Sequence, residues 1–479
     1  MNTFVRRVVN AVRSFPWTKA AAAAGVLVYL LICAKALLGV QDPFGGVHPA
    51  VPIAIALFPL CFFLSFRFPL IFPFGLYLAL MPFDALFSVS GASSLVRLIG
   101  IATAAALLLR MLLMRRAFAP QRSWFFWLAF VGYAALSLIW APDTVNGPVT
   151  FFSILMLFVM MTVLGIYPSS QFEFKVAIGM IVPCAVGAAI FALKNFYSGN
   201  ISAGDARLAL QGLTSGYILD ANYLGGSFLL SLAIALVGVF YSRSLTLRVA
   251  SGLAVLPIMA AILVTGSRSA FGAAVVIFAY FAVRSKYRVQ AFAICGVALG
   301  LTALYPRVLA RLFDSTADTA SGRTYIWQTG MHSFGDHWLF GAGVGSYVYN
   351  YDHNVLQVFQ QQFAGWSRPG HSLFFVGLND FGIVGFVLVL ACWYASFRQL
   401  SVIPKSSWLY GLRLGCEAAI VGLFIQGLFI DPFYIKYIWL ALSLPLMVVN
   451  MYAPRVMRVG QHMPVPSARF RPAQPIRGT

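Results

Sequence analysis

Apolar runs of about 20 residues recur along the whole chain, each long enough to cross the hydrocarbon core of a bilayer. Roughly fourteen can be marked out by that criterion. They begin near Ala20, Pro49, Pro69, Val96, Trp124, Val149, Lys175, Tyr223, Arg248, Ala270, Val289, Ser372, Arg413 and Phe433. The second and third runs, and the ninth and tenth, are parted only by short turns. The pattern therefore predicts an all-α polytopic integral membrane protein of about 12–14 transmembrane helices. Polar stretches divide it into a basic N-terminus (1–19), N-terminal helices (20–196), a first loop (197–222), central helices (223–305), a large loop (306–370), C-terminal helices (371–453) and a tail (454–479). Within the large loop, residues from Arg323 to Phe334 are patterned as a short helix.

The first apolar run follows Arg6, Arg7, Arg13 and Lys19 without a convincing small-residue cleavage site, and reads as a retained span with a cytoplasmic N-terminus. Alternating spans from there assigns Arg67, Arg115, Arg116, Arg122, Lys175, Arg243, Arg248, Arg284, Lys286, Arg288, Arg398, Lys405 and Arg413 to inside loops. Most acids, among them Asp42, Asp143, Asp205, Asp220, Asp314 and Asp431, fall on the other side. So do His48, His332, His337, His353 and His371. This is the positive-inside bias. It makes both termini cytoplasmic and both long loops periplasmic, as expected of a multi-pass protein of a bacterial inner membrane. The Pro- and Arg-rich tail fits contact with anionic headgroups.

Composition agrees. Of 479 residues 60% are apolar and 10% charged, against about 25% charged in soluble domains. A soluble enzyme, a disordered chain and a disulfide-stapled module are thereby excluded. The net charge of +20 would suggest nucleic acid in a soluble protein; here it is largely a topology signal, and no nucleic-acid partner is expected. Cys33, Cys61, Cys184, Cys295, Cys392 and Cys416 all lie in apolar runs without zinc-ligand spacing, and read as small buried hydrophobes.

Candidate chemistry lies with the cations that break the bias. Arg207 sits in the first long loop, Arg268 in Thr265-Gly-Ser-Arg-Ser-Ala270 at a short turn, and Arg307, Arg311, Arg323 and Arg368 in the second loop. Lys35, Arg97, Lys194 and Lys436 lie near outer ends of spans. An arginine at a membrane boundary ordinarily snorkels to headgroups. Arg268 differs in being flanked by Gly and Ser, which let a ligand approach the backbone. Arg207, Arg268 and Arg323 together suit a diphosphate, because guanidinium forks bind phosphate bidentately and stay charged. His371, opening a span, is either an interfacial hydrogen-bonding histidine or the base that activates an acceptor hydroxyl. Asp220 reads as a helix N-cap or a ligand contact. Asp380 is an intramembrane carboxylate two to three turns deeper than His371. The Gly341-x-Gly-x-Gly345 cluster follows no strand of a βαβ unit and is not a dinucleotide fingerprint. No Asp-x-Asp pair lies near an outer face, so no metal and no cofactor are expected.

Over residues 200–400 these features resemble the superfamily of O-antigen ligases and O-antigen polymerases of the bacterial envelope. The resemblance rests on Arg207, Gly212, Asp220 and Asn222; on Thr265 to Ala270; on Gly322-Arg-x-x-x-Trp327 and Gly341-x-Gly-x-Gly345; and on a histidine leading into Asn379-Asp-Phe-Gly-Ile-Val-Gly385. It implies a GT-C-like membrane fold and metal-independent glycosyl transfer from undecaprenyl diphosphate at the outer face of the inner membrane. Arg207, Arg268 and Arg323 would hold the donor diphosphate, and His371 would serve a glycan or lipid A–core acceptor. Family members often carry His-Asn where this chain has His371-Ser372, and His353-Asn354 is a rival match. Spacing to Gly382 and Gly385 favours His371. The contrasting expectation is a multi-span transporter of an anionic or glycolipid substrate, but no internal repeat marks the two halves such proteins often have.

Overall fold

The computed structural model describes residues 60–89, 93–200, 208, 220–300, 323–358, 368–454 and 456–458. Helices dominate: α1 (Phe74–Leu80), α2 (Leu95–Met114), α3 (Arg122–Ser137), α4 (Asn146–Ile166), α5 (Gln171–Tyr197), α6 (Ala221–Tyr241) and α7 (Leu245–Val264). There follow α8 (Arg268–Arg284), α9 (Arg288–Gly300), α10 (Arg323–Asp336), α11 (Tyr347–Val358), α12 (Leu373–Arg398), α13 (Tyr410–Gly427) and α14 (Lys436–Tyr452). Among the described residues the only sheets are two short antiparallel pairs, Ser88–Val89 with Ser93–Ser94 and Arg116–Phe118 with Val456–Arg458. The protein is thus an all-α polytopic membrane protein.

Among the described residues six helices are long and apolar enough to cross a bilayer: α2, α4, α5, α6, α7 and the helix running from Leu373 through Val402. Four more, α3, α8, α13 and α14, have 16, 17, 18 and 17 residues. Each apolar run predicted from Val96 onward begins within a few residues of a helix start. The run at Ala20, most of the one at Pro49 and both chain termini lie outside the described residues. Side chains such as Leu98, Leu109, Leu112, Phe152 and Val387 are exposed on these helices, as a hydrocarbon solvent permits. The interior is built on α6, α13 and α14. Gly415 of α13 receives Val237 of α6, and Gly422 receives Ile277 of α8, so small residues let the backbones approach. Glu417 of α13 is buried but engaged, accepting from Arg413 Nε at 2.8 Å and Tyr280 Oη at 2.7 Å.

The large loop is held by a break in α12. Gly382 has φ +63° and ψ −172°, so the helical bonds from Ile383 to Asn379 and from Val384 to Asp380 are lost. A buried N–H or C=O without a partner is strongly disfavoured, more so in a membrane. All four groups find partners in residues 338–343. Ile383 N donates to Trp338 O (2.9 Å) and Val384 N to Leu339 O (3.1 Å). Ala342 N donates to Asn379 O (2.8 Å) and Gly343 N to Asp380 O (2.9 Å). The Asp380 carboxylate accepts Gly345 N at 2.8 Å, just before α11. Asn379 accepts from Asn350 of α11 at 2.8 Å. From α3, Ser137 Oγ accepts Val344 N (3.0 Å) and Tyr133 Oη reaches Phe340 O (2.8 Å). Trp140 Nε1, just past that helix, donates to Gly341 O (3.0 Å). Asp380 therefore holds the loop in place, and the glycine cluster is its mating surface.

Gly341 has φ +75°, and a β-carbon there would lie 2.4 Å from Gly382 N. Gly341→Ala should destabilise the protein by roughly 3 kcal/mol or more. The check is thermal melting of purified protein in detergent, beside Gly132→Ala, whose β-carbon meets nothing within 4 Å. Gly341→Ala should melt clearly lower than both wild type and Gly132→Ala; equal melting would show that the junction is not tight.

Candidate active site

The two most conspicuous polar motifs meet at one end of the helices. Asp220 caps α6, its Oδ1 accepting Asn222 N at 2.7 Å and Asn222 Nδ2 at 3.0 Å. Asn222 Oδ1 in turn accepts Ser267 Oγ at 2.8 Å. Ser267 caps α8, taking Ala270 N at 3.2 Å. Gly266, with φ +61°, makes the three-residue turn from α7. Gly225 leaves room for it, since a β-carbon there would meet Thr265 Oγ1 and Ala270 Cβ at 2.9 Å. Gln426 of α13 ties the far side by donating to Asn222 O at 3.0 Å. Arg268 is the first residue of α8 and is exposed at this end.

Arg323 and Trp327 are four residues apart and so share one face of α10. Arg323 Nη1 donates to Phe429 O at 2.8 Å, in the turn between α13 and α14. Trp327 Nε1 donates to Gly370 O at 3.0 Å and its ring stacks on Phe375 at 4.9 Å. Tyr347 of α11 supports the same helix, donating to Ile326 O at 2.8 Å. The motif thus bolts the loop helix to the turn that carries His371.

His371 has φ +45°, a left-handed conformation uncommon for a residue other than glycine. The bond from Trp327 to Gly370 holds it on one side. On the other, Ser372 caps α12, its Oγ accepting Phe374 N at 3.2 Å and Phe375 N at 3.5 Å. Strain so braced is common where side-chain aim matters. Burial is the main cause that depresses the imidazole pKa below its usual 6.5, and the charge of Arg323 adds to it. Arg368 acts the same way, while the Asp220 carboxylate opposes. Arg323, Arg368 and Asp220 therefore each act electrostatically on His371. The shift favours the neutral imidazole, which can accept a proton, just before the positive N-terminal end of α12.

Arg207 lies outside the described residues; its successor, Leu208, is buried and donates to Val264 O at 3.0 Å, beside the α7–α8 turn. The rival His353 is exposed on α11, its ring stacked on Tyr349 at 4.0 Å and its Nδ1 2.9 Å from Tyr349 O. Arg368 stood among the bias-breaking cations of the sequence but not among the three assigned to the diphosphate. Its signal was only that it, too, is a cation in the large loop, three residues before His371. Lys436 pairs with Asp84, which also accepts from Ser94. With Arg97 they line an apolar cavity of about 520 Å³ between α2 and α4. Asp431 is buried in the turn that receives Arg323, and burial pushes its carboxyl up to about 7. Among the described residues no three His, Cys, Asp or Glu side chains gather where they could hold a metal ion.

Residues 252–390 match the family model described as O-antigen ligase. The match supports the O-antigen ligase and polymerase superfamily. It spans α8, α10, α11 and the break in α12, and so includes Arg268, Arg323, Arg368 and His371 but not Asp220 or Arg207. No curated protein matches the chain significantly.

His371 should titrate below 6.5, and removing a neighbouring cation should raise its midpoint. The test is NMR of histidine-labelled protein, with the His371 signal assigned by its loss in His371→Ala. Arg323→Gln should move the midpoint upward; an unchanged midpoint would mean that the two side chains do not interact.

Proposed function

We propose that the chain is an inner-membrane glycosyltransferase that moves a glycan from undecaprenyl diphosphate to an acceptor hydroxyl at the periplasmic face. The family match supports a membrane ligase or polymerase of lipid-linked glycans. The observation that carries the finer reading is that the helix bearing Arg323 is fixed by the bond from Trp327 to Gly370, the neighbour of His371, so that Arg323 acts on the imidazole together with Arg368. Arginines beside a neutral histidine, at the membrane boundary, suit an anionic lipid-linked donor and a neutral hydroxyl acceptor.

In this mechanism Arg207, Arg268 and Arg323 bind the donor diphosphate. Asp220 positions the Arg268 turn through Asn222 and Ser267. The acceptor oxygen attacks the anomeric carbon from the side opposite the diphosphate. A new C–O bond forms as the bond to the diphosphate oxygen breaks. The electron pair leaves with undecaprenyl diphosphate, and the acceptor proton passes to the His371 imidazole. The configuration at the anomeric carbon inverts. The diphosphate is already a good leaving group, so the chain contributes charge stabilisation, orientation and a base. No metal enters the scheme. With lipid A–core as acceptor the enzyme is an O-antigen ligase; with a second carrier-linked repeat it is an O-antigen or exopolysaccharide polymerase.

Arg268→Ala, Arg323→Ala and His371→Ala should each lower transfer at least about a hundredfold while the protein still accumulates in membranes. Transfer is measured with lipid-linked glycan and membranes from each variant. A variant with wild-type transfer would remove its residue from the mechanism. EDTA should leave transfer intact; inhibition would argue for a metal. The surface glycan of a deletion strain separates the two acceptors. Long carrier-linked chains accumulate if a ligase is lost, and a single repeat unit or none is displayed if a polymerase is lost.

A further inference from the structure

At the opposite end of the helices lies a cavity of about 1080 Å³ lined by Lys175, Arg243, Arg284, Lys286, Arg288 and Lys405. These six cations come from the start of α5, the α6–α7 turn, the α8–α9 turn and the loop before α13. Arg268 and Arg284 are the two ends of α8, so the cavity is about 25 Å from the site described above. None of the lining residues is acidic. The carboxylates on the elements that form it are engaged elsewhere: Glu173 accepts Leu70 N at 3.1 Å and Tyr167 Oη at 3.2 Å, and Glu417 pairs with Arg413.

Positive-inside bias explains cations on this face but not their convergence on one concave site. Arg115, Arg116 and Arg122 are equally exposed on inside-facing turns and stand apart from it. Six like charges around one cavity repel one another and are most favourable with a polyanion between them. The lining also offers hydroxyl donors, Ser242, Ser244, Ser406 and Ser407, suited to phosphate oxygens. Trp408, half exposed at the lining, carries the Lys175 ammonium at 4.9 Å from its ring centre. An indole in that position is typical of a membrane–water interface.

We propose that this cavity binds a phosphate-bearing headgroup of at least two negative charges, supplied from the side of the membrane opposite the glycan-transfer site. Basic pockets between transmembrane helices on this side suit such headgroups. The size fits two phosphates and their linker rather than one inorganic ion.

The probes are cardiolipin and phosphatidylcholine in nanodiscs carrying the full chain, with inorganic pyrophosphate as competitor and tryptophan emission as readout. Cardiolipin should bind saturably and phosphatidylcholine should not. Arg243→Gln/Lys286→Gln/Lys405→Gln should weaken cardiolipin about a hundredfold, and Lys405→Gln alone about fivefold. Arg115→Gln/Arg116→Gln/Arg122→Gln removes the same charge from the same face and should change it less than about threefold. If the triple cavity variant does not fold, the single variant against the matched triple decides. Pyrophosphate that displaces cardiolipin would assign the site to soluble diphosphates as well; pyrophosphate that fails to compete would assign it to lipid. Equal losses in cavity and matched variants, or no preference for cardiolipin over phosphatidylcholine, would overturn the proposal. Glycan transfer is not the readout, so failure here leaves the assignment of the other face untouched.

Discussion

A helix broken inside a membrane must have its freed backbone groups satisfied by protein, because hydrocarbon offers no partner. The break of α12 at Gly382 meets that demand with the backbone of residues 338–343. Four main-chain bonds and the Asp380 carboxylate thereby fasten the large loop to a transmembrane helix. Everything that follows depends on this junction. It places α10 and α11 over the end of the bundle, and α10 presents Arg323 and Trp327. Trp327 holds Gly370, and Gly370 and Ser372 together hold His371 in its left-handed conformation. The glycines at 341, 343 and 345 are needed because the loop backbone lies against α12, the end of α3 and the start of α4 with no room for side chains.

The electrostatics of the site follow from that placement. A histidine at the end of a span would ordinarily titrate near physiological pH. Burial and two arginines keep this one neutral. Arg323, which would bind the diphosphate, thus also helps preserve the base. One arrangement serves both halves of the proposed reaction, without the histidine competing as a second cation for the donor.

Much of the fold was legible in the sequence, since long apolar runs identify spans by length and hydropathy alone. The turn at Thr265 to Ala270 was legible for a similar reason: a short Gly-Ser stretch between two apolar runs has few alternatives to a tight helix–helix turn. Asp380 shows the limit. Its local surroundings announce a carboxylate within an apolar run, which reads as a functional group. Its partner, Gly345 N, lies 35 residues away, and no local pattern reveals that contact. Arg368 was legible only as one more cation of the large loop, because its influence on His371 depends on how the loop returns to the membrane. The cations assigned to inside turns are visible in the sequence one turn at a time, but the convergence of six of them on one cavity depends on which turns pack together.

The central claim is that Arg323, beside His371, recognises the diphosphate of the donor, and the most direct test is binding without chemistry. Purified protein in detergent is titrated with undecaprenyl diphosphate that carries no glycan, for wild type and for Arg323→Ala. The account predicts saturable binding to wild type and affinity at least about tenfold weaker in the variant, the loss expected for one charge-assisted phosphate contact. Equal affinity for the two proteins, with both folded, would contradict it.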